Sequence, residues 1–372
     1  MRSATGRGLV PAALRALPWT PVLLVLAIAS FSCVVLFSAA GGSLKPWALN
    51  QGVRVIVFLC MALALSRVSE RMLQIAAFPL YGLFLLLLFG VEMVGAVKGG
   101  SQRWLDLGFM ELQPSEMMKV AIVLATARFF SLLPASQLRT VAALWPAAVL
   151  MGLPVGLVML QPDLGTALMI AGSAATVTFL AGLPLRLYIG AALALAAAAP
   201  IIFSTMHEYQ RNRVLIFLDP ESDPLGKGYH ISQSKIAIGS GGLFGKGYLQ
   251  GTQSRLDYLP ERQTDFVFAT MAEEWGLAGG LYLIACFFLF IGWGMRVAGR
   301  ARTKFARLTA AGLATTIFFY VAINLMMVMG LAPVVGIPLP LVSYGGSAVM
   351  TVMICLGILM AIERDSRVGA RV

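Results

Sequence analysis

The sequence is poor in charged residues, histidine and cysteine, and each shortage excludes a class of protein. Only 12% of the 372 residues are charged, against roughly 25% in a soluble domain. Two histidines, His207 and His230, are too few for a histidine-based metal site. The cysteines stand inside apolar runs at irregular spacing, without a CxxC or Cys/His pattern. We therefore expect small core side chains rather than disulfides or metal ligands at Cys33, Cys60, Cys286 and Cys355.

Long apolar runs take the place of the missing charges and indicate an all-α polytopic membrane protein. Several runs of about 20 apolar residues have the length that a hydrocarbon core of roughly 30 Å requires. Together they predict one transmembrane domain over residues 1–372. Hydropathy predicts ten spans, at 20–40, 51–67, 73–95, 115–132, 141–160, 164–182, 186–204, 267–295, 308–332 and 344–362.

Basic residues are distributed unevenly between the predicted loops. With the N-terminus in the cytoplasm, the short outer loops hold only Lys45, Lys98 and Arg103. The positive-inside rule therefore predicts cytoplasmic tails at 1–19 and 363–372. The basic first tail resembles the start of a signal peptide, but no convincing cleavage site follows it, so we interpret it as retained. This distribution accounts for the net charge of +11 without a nucleic-acid partner.

The connection at 205–265, between the seventh and eighth spans, is much longer than the others and is predicted to face the periplasm. Loops of this length in compact proteins are usually functional or disordered. Tyr, Ile, Leu and Phe recur throughout it, which favours structure. The stretch YHISQSKIAIGS predicts a helix lying against the membrane surface, and the stretch SGGLFGKGYLQG requires tight turns.

The stretch LPERQTDFVFATMAEEWG places four carboxylates near the start of the eighth span. Glu261 and Asp265 precede the apolar run, and Glu273 and Glu274 stand inside it. Asp265 has two interpretations. An isolated Asp in this position is most often the N-cap of the following helix. Its crowded, partly desolvated surroundings also suit a general base.

Two other span starts carry acids. Glu116 and Lys119 of QPSEMMKVAIV share one helix face. They are either a self-neutralising pair or a pair that contacts an anion or a hydroxyl group at a cavity. Pro114 suits the first turn of that helix. Asp163 of QPDLGTAL stands at the mouth of the sixth span, where an N-cap is the commoner role.

Further polar and irregular features lie on the predicted outer side. Trp104 suits an interfacial anchor or, less commonly, a sugar platform. Arg211 and Arg213 suit surface solvation or a pyrophosphate group. The proline- and glycine-rich segment LAPVVGIPLPLVSYGGS, which contains Ser343, is tolerated at membrane depth only where it is buried in protein or lines a cavity. These features together predict a site on the outer side.

Read in order, the motifs resemble those of the SEDS family of bacterial cell-wall polymerases, and the resemblance covers essentially the whole chain. The motifs are QPSE, QPDLGT, YQRNR, DPESDPLGKGYH, QSKIAIGSGGLFGKG, GTQSRLDYLPERQTDF and PLPLVSYGGS. The stretch before TDF resembles the elongation branch of the family more than the division branch.

The resemblance implies a peptidoglycan glycosyltransferase that polymerises lipid II into glycan strands at the outer face of the inner membrane during cell elongation. It implies Asp265 as the essential carboxylate, which we interpret as the general base, and release of undecaprenyl pyrophosphate. Substrate contacts are expected at Glu116, Lys119, Trp104, Asp163, Arg211, Arg213, Glu261, Arg262 and Ser343.

The resemblance also implies partners. They are lipid II and the undecaprenyl-linked glycan, a class B penicillin-binding protein transpeptidase, and membrane proteins of the elongation complex. It leaves open a divalent cation, Mg²⁺ or Mn²⁺, for which the sequence shows no ligand set. Two alternatives remain from the residues themselves, a flippase for lipid-linked precursors and a scaffold for a penicillin-binding protein.

Overall fold

The computed structural model describes residues 18–94, 96–98, 101–106, 111–138, 140–206, 208–219, 223, 226–256, 258–259 and 261–368. The predicted tail segments 1–17 and 369–372, and His207, lie outside these residues. The helices are α1 (Trp19–Ala39), α2 (Trp47–Leu65), α3 (Glu70–Val94), α4 (Pro114–Leu132), α5 (Val141–Leu160), α6 (Leu164–Ala181), α7 (Leu185–Thr205), α8 (Glu208–Leu218), α9 (Lys227–Ser240), α10 (Thr252–Arg255), α11 (Val267–Arg300), α12 (Lys304–Val328) and α13 (Gly346–Val368).

Every predicted span coincides with a long helix, which confirms the helical membrane fold. Within the described residues, eight helices are long and apolar enough to cross a membrane, namely α1, α2, α3, α5, α6, α11, α12 and α13. Many of their large apolar side chains are exposed at the surface of the protein, such as Leu86, Phe288 and Met93. Water would disfavour so much exposed apolar surface, so these side chains face lipid. The full count of ten crossings stays a prediction.

Helices α4 and α7 fall outside that set for different reasons. Helix α4 carries Glu116, Lys119 and Arg128, and almost its whole first half is buried among other helices. A helix that does not face lipid can hold charged side chains if they are paired inside the protein. Helix α7 has an apolar part of only 17 residues, Leu185–Ile201, and most of its side chains are exposed.

The core lies where α4, α6, α12 and α13 meet. Helix α12 packs on α4, α6 and α11, while α13 packs on α2 and α4, and α1 packs on α11. Small residues allow these close approaches. A methyl group at Gly312 would stand 2.6 Å from a Val177 methyl group and 2.7 Å from one of Val123. Three of the central helices therefore touch through a single glycine.

A small antiparallel sheet precedes α4, in the outer connection where the sequence predicts only a loop. Its strands are β1 (Ala96–Lys98), β2 (Ser101–Asp106) and β3 (Glu111–Leu112), in that order. Trp104 on β2 is the register partner of Ala96. The sheet places β2 against α3 and α4, and so brings Trp104 and its neighbour Arg103 to the start of α4.

The long connection at 205–265 contains the helices α8, α9 and α10, in agreement with the expectation of structure there. The predicted helix in YHISQSKIAIGS is confirmed as α9. Rather than resting on the membrane surface alone, α9 packs on α11 and α12. Its buried residues include Ile231 and Ala237, and the Ser234 hydroxyl donates to the Val328 carbonyl at 2.8 Å.

Candidate active site

One cavity gathers three of the acids that the sequence places at span starts. It has a volume of about 340 Å³, and its walls include Glu116, Asp163 and Asp265, a size within the range of small-molecule sites. Glu116 lies in the first turn of α4, Asp163 precedes α6 and Asp265 precedes α11. The cavity therefore lies at one end of the helix bundle, where three helix N-termini meet.

Asp265 is held from its backbone by two other segments of the chain. The Asn324 side-chain amide on α12 donates to the Asp265 carbonyl at 3.1 Å and to the Ile337 carbonyl at 2.7 Å. The Ser343 hydroxyl donates to the Thr264 carbonyl at 2.6 Å. The segment around Asp265 is thereby fixed to the irregular chain at 331–345, which forms the facing wall of the cavity.

The side chain of Asp265 is half-buried, and it does not occupy the helix-cap position. The residue at the N-cap of α11 is Phe266, and no side chain caps it. The interpretation of Asp265 as an N-cap is therefore wrong. A methyl group placed on Gly336 would stand 3.6 Å from Asp265 Oδ2. Gly336, which also lines the cavity, therefore adds no side chain on that side of the carboxylate.

Glu116 and Lys119 form a buried ion pair that extends to a third residue. Lys119 Nζ lies 2.5 Å from Glu116 Oε1 and 2.8 Å from the Tyr320 hydroxyl. The Tyr320 hydroxyl also donates to Glu116 Oε2, which in addition accepts from Thr351 at 3.3 Å. Glu116 borders the cavity, whereas Lys119 is fully buried behind it. The pair is thus self-neutralising and also reaches the cavity wall.

Asp163 is the N-cap of α6, as the sequence favours. Its Oδ1 accepts from the Thr166 amide at 3.1 Å, and its Oδ2 accepts from the Gln113 side chain at 3.2 Å. Arg103 lies 3.7 Å from Oδ2 and also donates to the Gln161 carbonyl at 2.8 Å. Both oxygens of this carboxylate accept hydrogen bonds, so Asp163 is held in place in the cavity wall.

Arg54 on α2 is a cation beside this cavity that the sequence analysis missed. Its guanidinium stacks over the Tyr344 ring at 4.5 Å from the ring centre and lies next to Gly346. Tyr344 and Gly346 both line the cavity. An arginine inside a predicted span, here 51–67, is a functional candidate by its position alone, and that signal identifies Arg54. Tyr320 carries no comparable signal, because its partners lie far away in the sequence.

The remaining predicted residues divide between the cavity and its surroundings. Trp104 lines the cavity, and Ser343 supports it from behind through Thr264. Arg211 is exposed and stacks on Phe203 at 5.1 Å, outside the cavity lining. Arg213 belongs to the same helix α8, but its side chain lies outside the described residues.

Glu261 and Arg262 lie in the turn before Asp265 without lining the cavity. Glu261 is exposed, has a positive φ of 52°, and accepts from the Thr264 hydroxyl at 2.8 Å. Arg262 donates to the Ser254 carbonyl and stands over the Trp47 ring at 5.8 Å. Both therefore shape the turn that presents Asp265.

Glu273 and Glu274 anchor the glycine-rich segment 241–251 rather than facing the cavity. Glu273 Oε1 accepts from Lys246 Nζ at 2.7 Å and from the Thr252 amide at 2.9 Å. Glu274 Oε1 accepts from the Ser38 hydroxyl at 2.5 Å. Both carboxylates are buried, and these partners stabilise them there.

The same segment supplies backbone hydrogen-bond partners at a break in α11. Gly276 has φ 60° and ψ −157°, which interrupts the helix. The Lys246 and Gly247 amides donate to the carbonyls of residues 273 and 274, and the amides of residues 277 and 278 donate back to residues 242 and 243. Backbone groups that lose their helical partners inside a membrane protein need such replacements.

The described residues contain no group of three or more His, Cys, Asp or Glu side chains arranged to hold a metal ion. The divalent cation therefore stays a prediction without assigned ligands. The cysteines are free, as expected. Cys286 and Cys355 are buried in the core, whereas Cys60 is exposed on the surface of α2.

Comparison with known proteins agrees with the resemblance read from the motifs. A family profile described as "Cell cycle protein", for FtsW, RodA and SpoVE, matches residues 15–368. The peptidoglycan glycosyltransferase MrdB of Escherichia coli K12 is 49% identical over 348 residues, which cover 92% of each chain.

Solved structures give the same result. One solved chain comes from a structure described as "Structural coordination of polymerization and crosslinking by a peptidoglycan synthase complex". It has a TM-score of 0.82 and 35% identity, and the match covers 94% of this chain and 98% of that chain. The crystal structure of Thermus thermophilus rod shape determining protein RodA has a TM-score of 0.72 and 32% identity, with 94% and 97% covered. The chain therefore belongs to the FtsW/RodA/SpoVE family and is an integral inner-membrane protein.

Proposed function

We propose that this chain is a peptidoglycan glycosyltransferase of the elongation type, which polymerises lipid II in the Asp265 cavity. Its relative MrdB is named as such an enzyme. The observation that carries the assignment of the site is the meeting of Asp265, Glu116 and Asp163 in one cavity at a helix-bundle end. A cavity at such an end admits a sugar from the aqueous side while a lipid tail stays in the bilayer.

The reaction joins two sugars and needs one proton acceptor. The C4 hydroxyl oxygen of the acceptor attacks the anomeric carbon of the donor, and the bond from that carbon to the pyrophosphate oxygen breaks. The hydroxyl proton passes to the Asp265 carboxylate, and undecaprenyl pyrophosphate leaves with the bonding electrons. We assign the base to Asp265, because it is half-buried, lines the cavity and stands where the motif resemblance puts the essential carboxylate.

The leaving pyrophosphate needs neighbouring positive charge rather than a proton. Arg54 and Arg103 are the arginines that the structure places at the cavity or against its lining residues. Arg103 is partly occupied by its contact with Asp163. The Arg54 guanidinium stacks on the ring of Tyr344, which leaves its N–H donors in the plane of the guanidinium. We assign charge neutralisation to these two residues instead of the predicted Arg211.

The location of the acids favours a polymerase over a flippase. A transporter of lipid-linked precursors places its polar groups near the middle of the membrane. Here the acids stand at the starts of α4, α6 and α11, and we place that end of the bundle at the periplasmic face with both termini in the cytoplasm. The distribution of basic residues supports this orientation.

A partner transpeptidase follows from the related assembly. The structural neighbour comes from a complex described as coordinating polymerization and crosslinking. We propose that this chain assembles in the same way with a class B penicillin-binding protein, which crosslinks the glycan, and with other membrane proteins of the elongation complex.

Purified protein and lipid II in detergent test the proposal directly. Asp265→Asn removes the proton acceptor at nearly constant volume, and we expect glycan synthesis to fall by about 10²-fold or more. Glu92→Gln, at an exposed position near the end of α3, is the matched control and keeps wild-type activity. Glycan strands of normal yield from a folded Asp265→Asn protein would refute the assignment of the base.

The same assay separates the polymerase from the scaffold. A scaffold yields no glycan strands alone or with an inactivated partner. Wild-type protein that stays inactive even with the class B partner present contradicts the proposal as a whole.

A further inference from the structure

We infer that the opposite end of the bundle carries a binding site for the phosphate group of an anionic phospholipid. The site is a cavity of about 480 Å³ between the start of α1 and the ends of α11 and α13, here called the arginine cavity. Ser347 at the Asp265 cavity and Arg367 at the arginine cavity are both on α13. Their separation of 20 residues puts the two sites about 30 Å apart.

The arginine cavity has a strong excess of positive charge. Arg296, Arg300, Arg302 and Arg367 line it, with Glu363 as its one acidic lining residue among the described residues. Like charges this close repel one another unless an anion or solvent compensates them. This charge excess favours an anionic occupant.

The acid within the cavity is already used. Glu363 is buried, accepts from the Trp293 indole nitrogen at 3.1 Å, and pairs with Arg367. In the part of the chain that the structure describes, no carboxylate pairs with Arg296, Arg300 or Arg302. The next acid along α13, Asp365, is paired with Arg364 at 2.8 Å. Arg296 Nε donates to the Gly292 carbonyl at 3.3 Å, so the rest of this guanidinium and those of Arg300 and Arg302 remain for a ligand.

The segments 1–17 and 369–372 contribute no acidic side chain either. The first 17 residues, MRSATGRGLVPAALRAL, contain three arginines and no acid, and the last four, GARV, contain one arginine and no acid. Their only charged side chains are arginines. We infer that a bound ligand supplies the compensating anion.

The shape of the cavity selects an amphiphile over a simple ion. Trp293 and Val297 are buried and give it an apolar floor, and Pro18 adds an apolar edge. Arg296, Arg300 and Arg302 are exposed around that floor. An apolar floor at the membrane boundary beneath a cationic rim matches a phospholipid, whose acyl chain meets the floor while its phosphate meets the arginines. Basic pockets between helices on the cytoplasmic side bind such head groups, and arginine suits phosphate best.

Native mass spectrometry of the purified full-length protein in detergent, titrated with phosphatidylglycerol, tests this site. The variant Arg296→Gln/Arg300→Gln/Arg302→Gln removes the rim, and we expect phosphatidylglycerol affinity to fall at least about tenfold. The control variant Arg71→Gln/Arg186→Gln/Arg307→Gln removes three exposed arginines outside the arginine cavity and is expected to stay within about twofold of wild type.

Two further titrations identify the source of the phosphate. Phosphatidylcholine has the same phosphate but no net charge, and we expect it to bind wild type at least about tenfold more weakly than phosphatidylglycerol. Inorganic phosphate lacks the acyl chains, and we expect no displacement of the lipid at equal concentration. Displacement by inorganic phosphate, equal binding of the two lipids, or an equal loss in both triple variants would overturn the inference. The readout is binding, so the result is independent of glycan synthesis.

Discussion

The buried Glu116–Lys119–Tyr320 cluster offers the sharpest test of the site, through Lys119→Met. Methionine keeps most of the side-chain volume and removes the cation. Lys119 is 0% exposed, and its Nζ contacts Glu116 Oε1 at 2.5 Å and the Tyr320 oxygen at 2.8 Å. The substitution therefore leaves a carboxylate and a hydroxyl in the core without their cation.

The expected loss of folding stability follows from the difference in free energy between removing one partner of a buried ion pair and replacing both. Removing one partner costs about 3–5 kcal/mol, whereas replacing both by neutral groups is roughly neutral. We expect Lys119→Met to lower the midpoint of thermal unfolding in detergent by about 5 °C or more. The double variant Glu116→Gln/Lys119→Met is expected to recover most of that loss.

Glycan synthesis from lipid II then separates stability from chemistry. If the Glu116 carboxylate acts at the cavity wall, the double variant stays inactive although its stability is restored. A double variant that regains both stability and activity would show that the pair is only structural. An unchanged unfolding midpoint in Lys119→Met would refute the reasoning about the buried pair itself.

Two further predictions concern the cavity rim and the glycine-rich segment. Arg54→Gln removes a cation from the cavity edge, and kcat/KM with lipid II is expected to fall about 10-fold or more. The control Arg186→Gln, at the other end of the bundle, is expected to leave kcat/KM unchanged. Equal kinetics in both variants would contradict the role of Arg54. Gly245→Ala places a methyl group 2.1 Å from the Glu274 carbonyl oxygen, and hydrogen exchange in segment 241–251 should accelerate. Gly242→Ala shares the positive φ but meets no atom within 4 Å, so it should cost only about 1–2 kcal/mol, and equal exchange in the two variants would argue against close packing.

The sequence predicts the helices well because each membrane span is a continuous apolar run, which hydropathy detects from local residues alone. Helix α5 begins and ends where hydropathy places it, at 141 and 160, whereas α12 begins at Lys304, four residues before the predicted 308. Pro114 at the start of α4 and the Asp163 cap also follow from local rules. The three strands before α4 were missed because they are only 3, 6 and 2 residues long, too short for a periodic signal.

The arrangement of the site could be predicted only in part, because its contacts join distant segments. Asp265, Glu116 and Asp163 were identified from their positions at span starts. Asn324 binds a carbonyl 59 residues earlier in the chain, and Tyr320 meets Lys119 across 201 residues. Neither pairing follows from a single sequence. Local rules taken alone favour a cap role for Asp265 over that of a general base, yet the structure has Phe266 at the cap position.

The interruption of α11 at Gly276 links two parts of the molecule mechanically. Four main-chain hydrogen bonds join residues 242–247 to residues 273–278, and the nine residues Val267–Trp275 form a short rigid lever that begins beside Asp265. The glycine-rich segment is thereby bonded to a nine-residue stretch of helix that starts two residues after Asp265, on the near side of the break. A displacement of the glycine-rich segment is therefore expected to shift the start of α11 beside the proposed base.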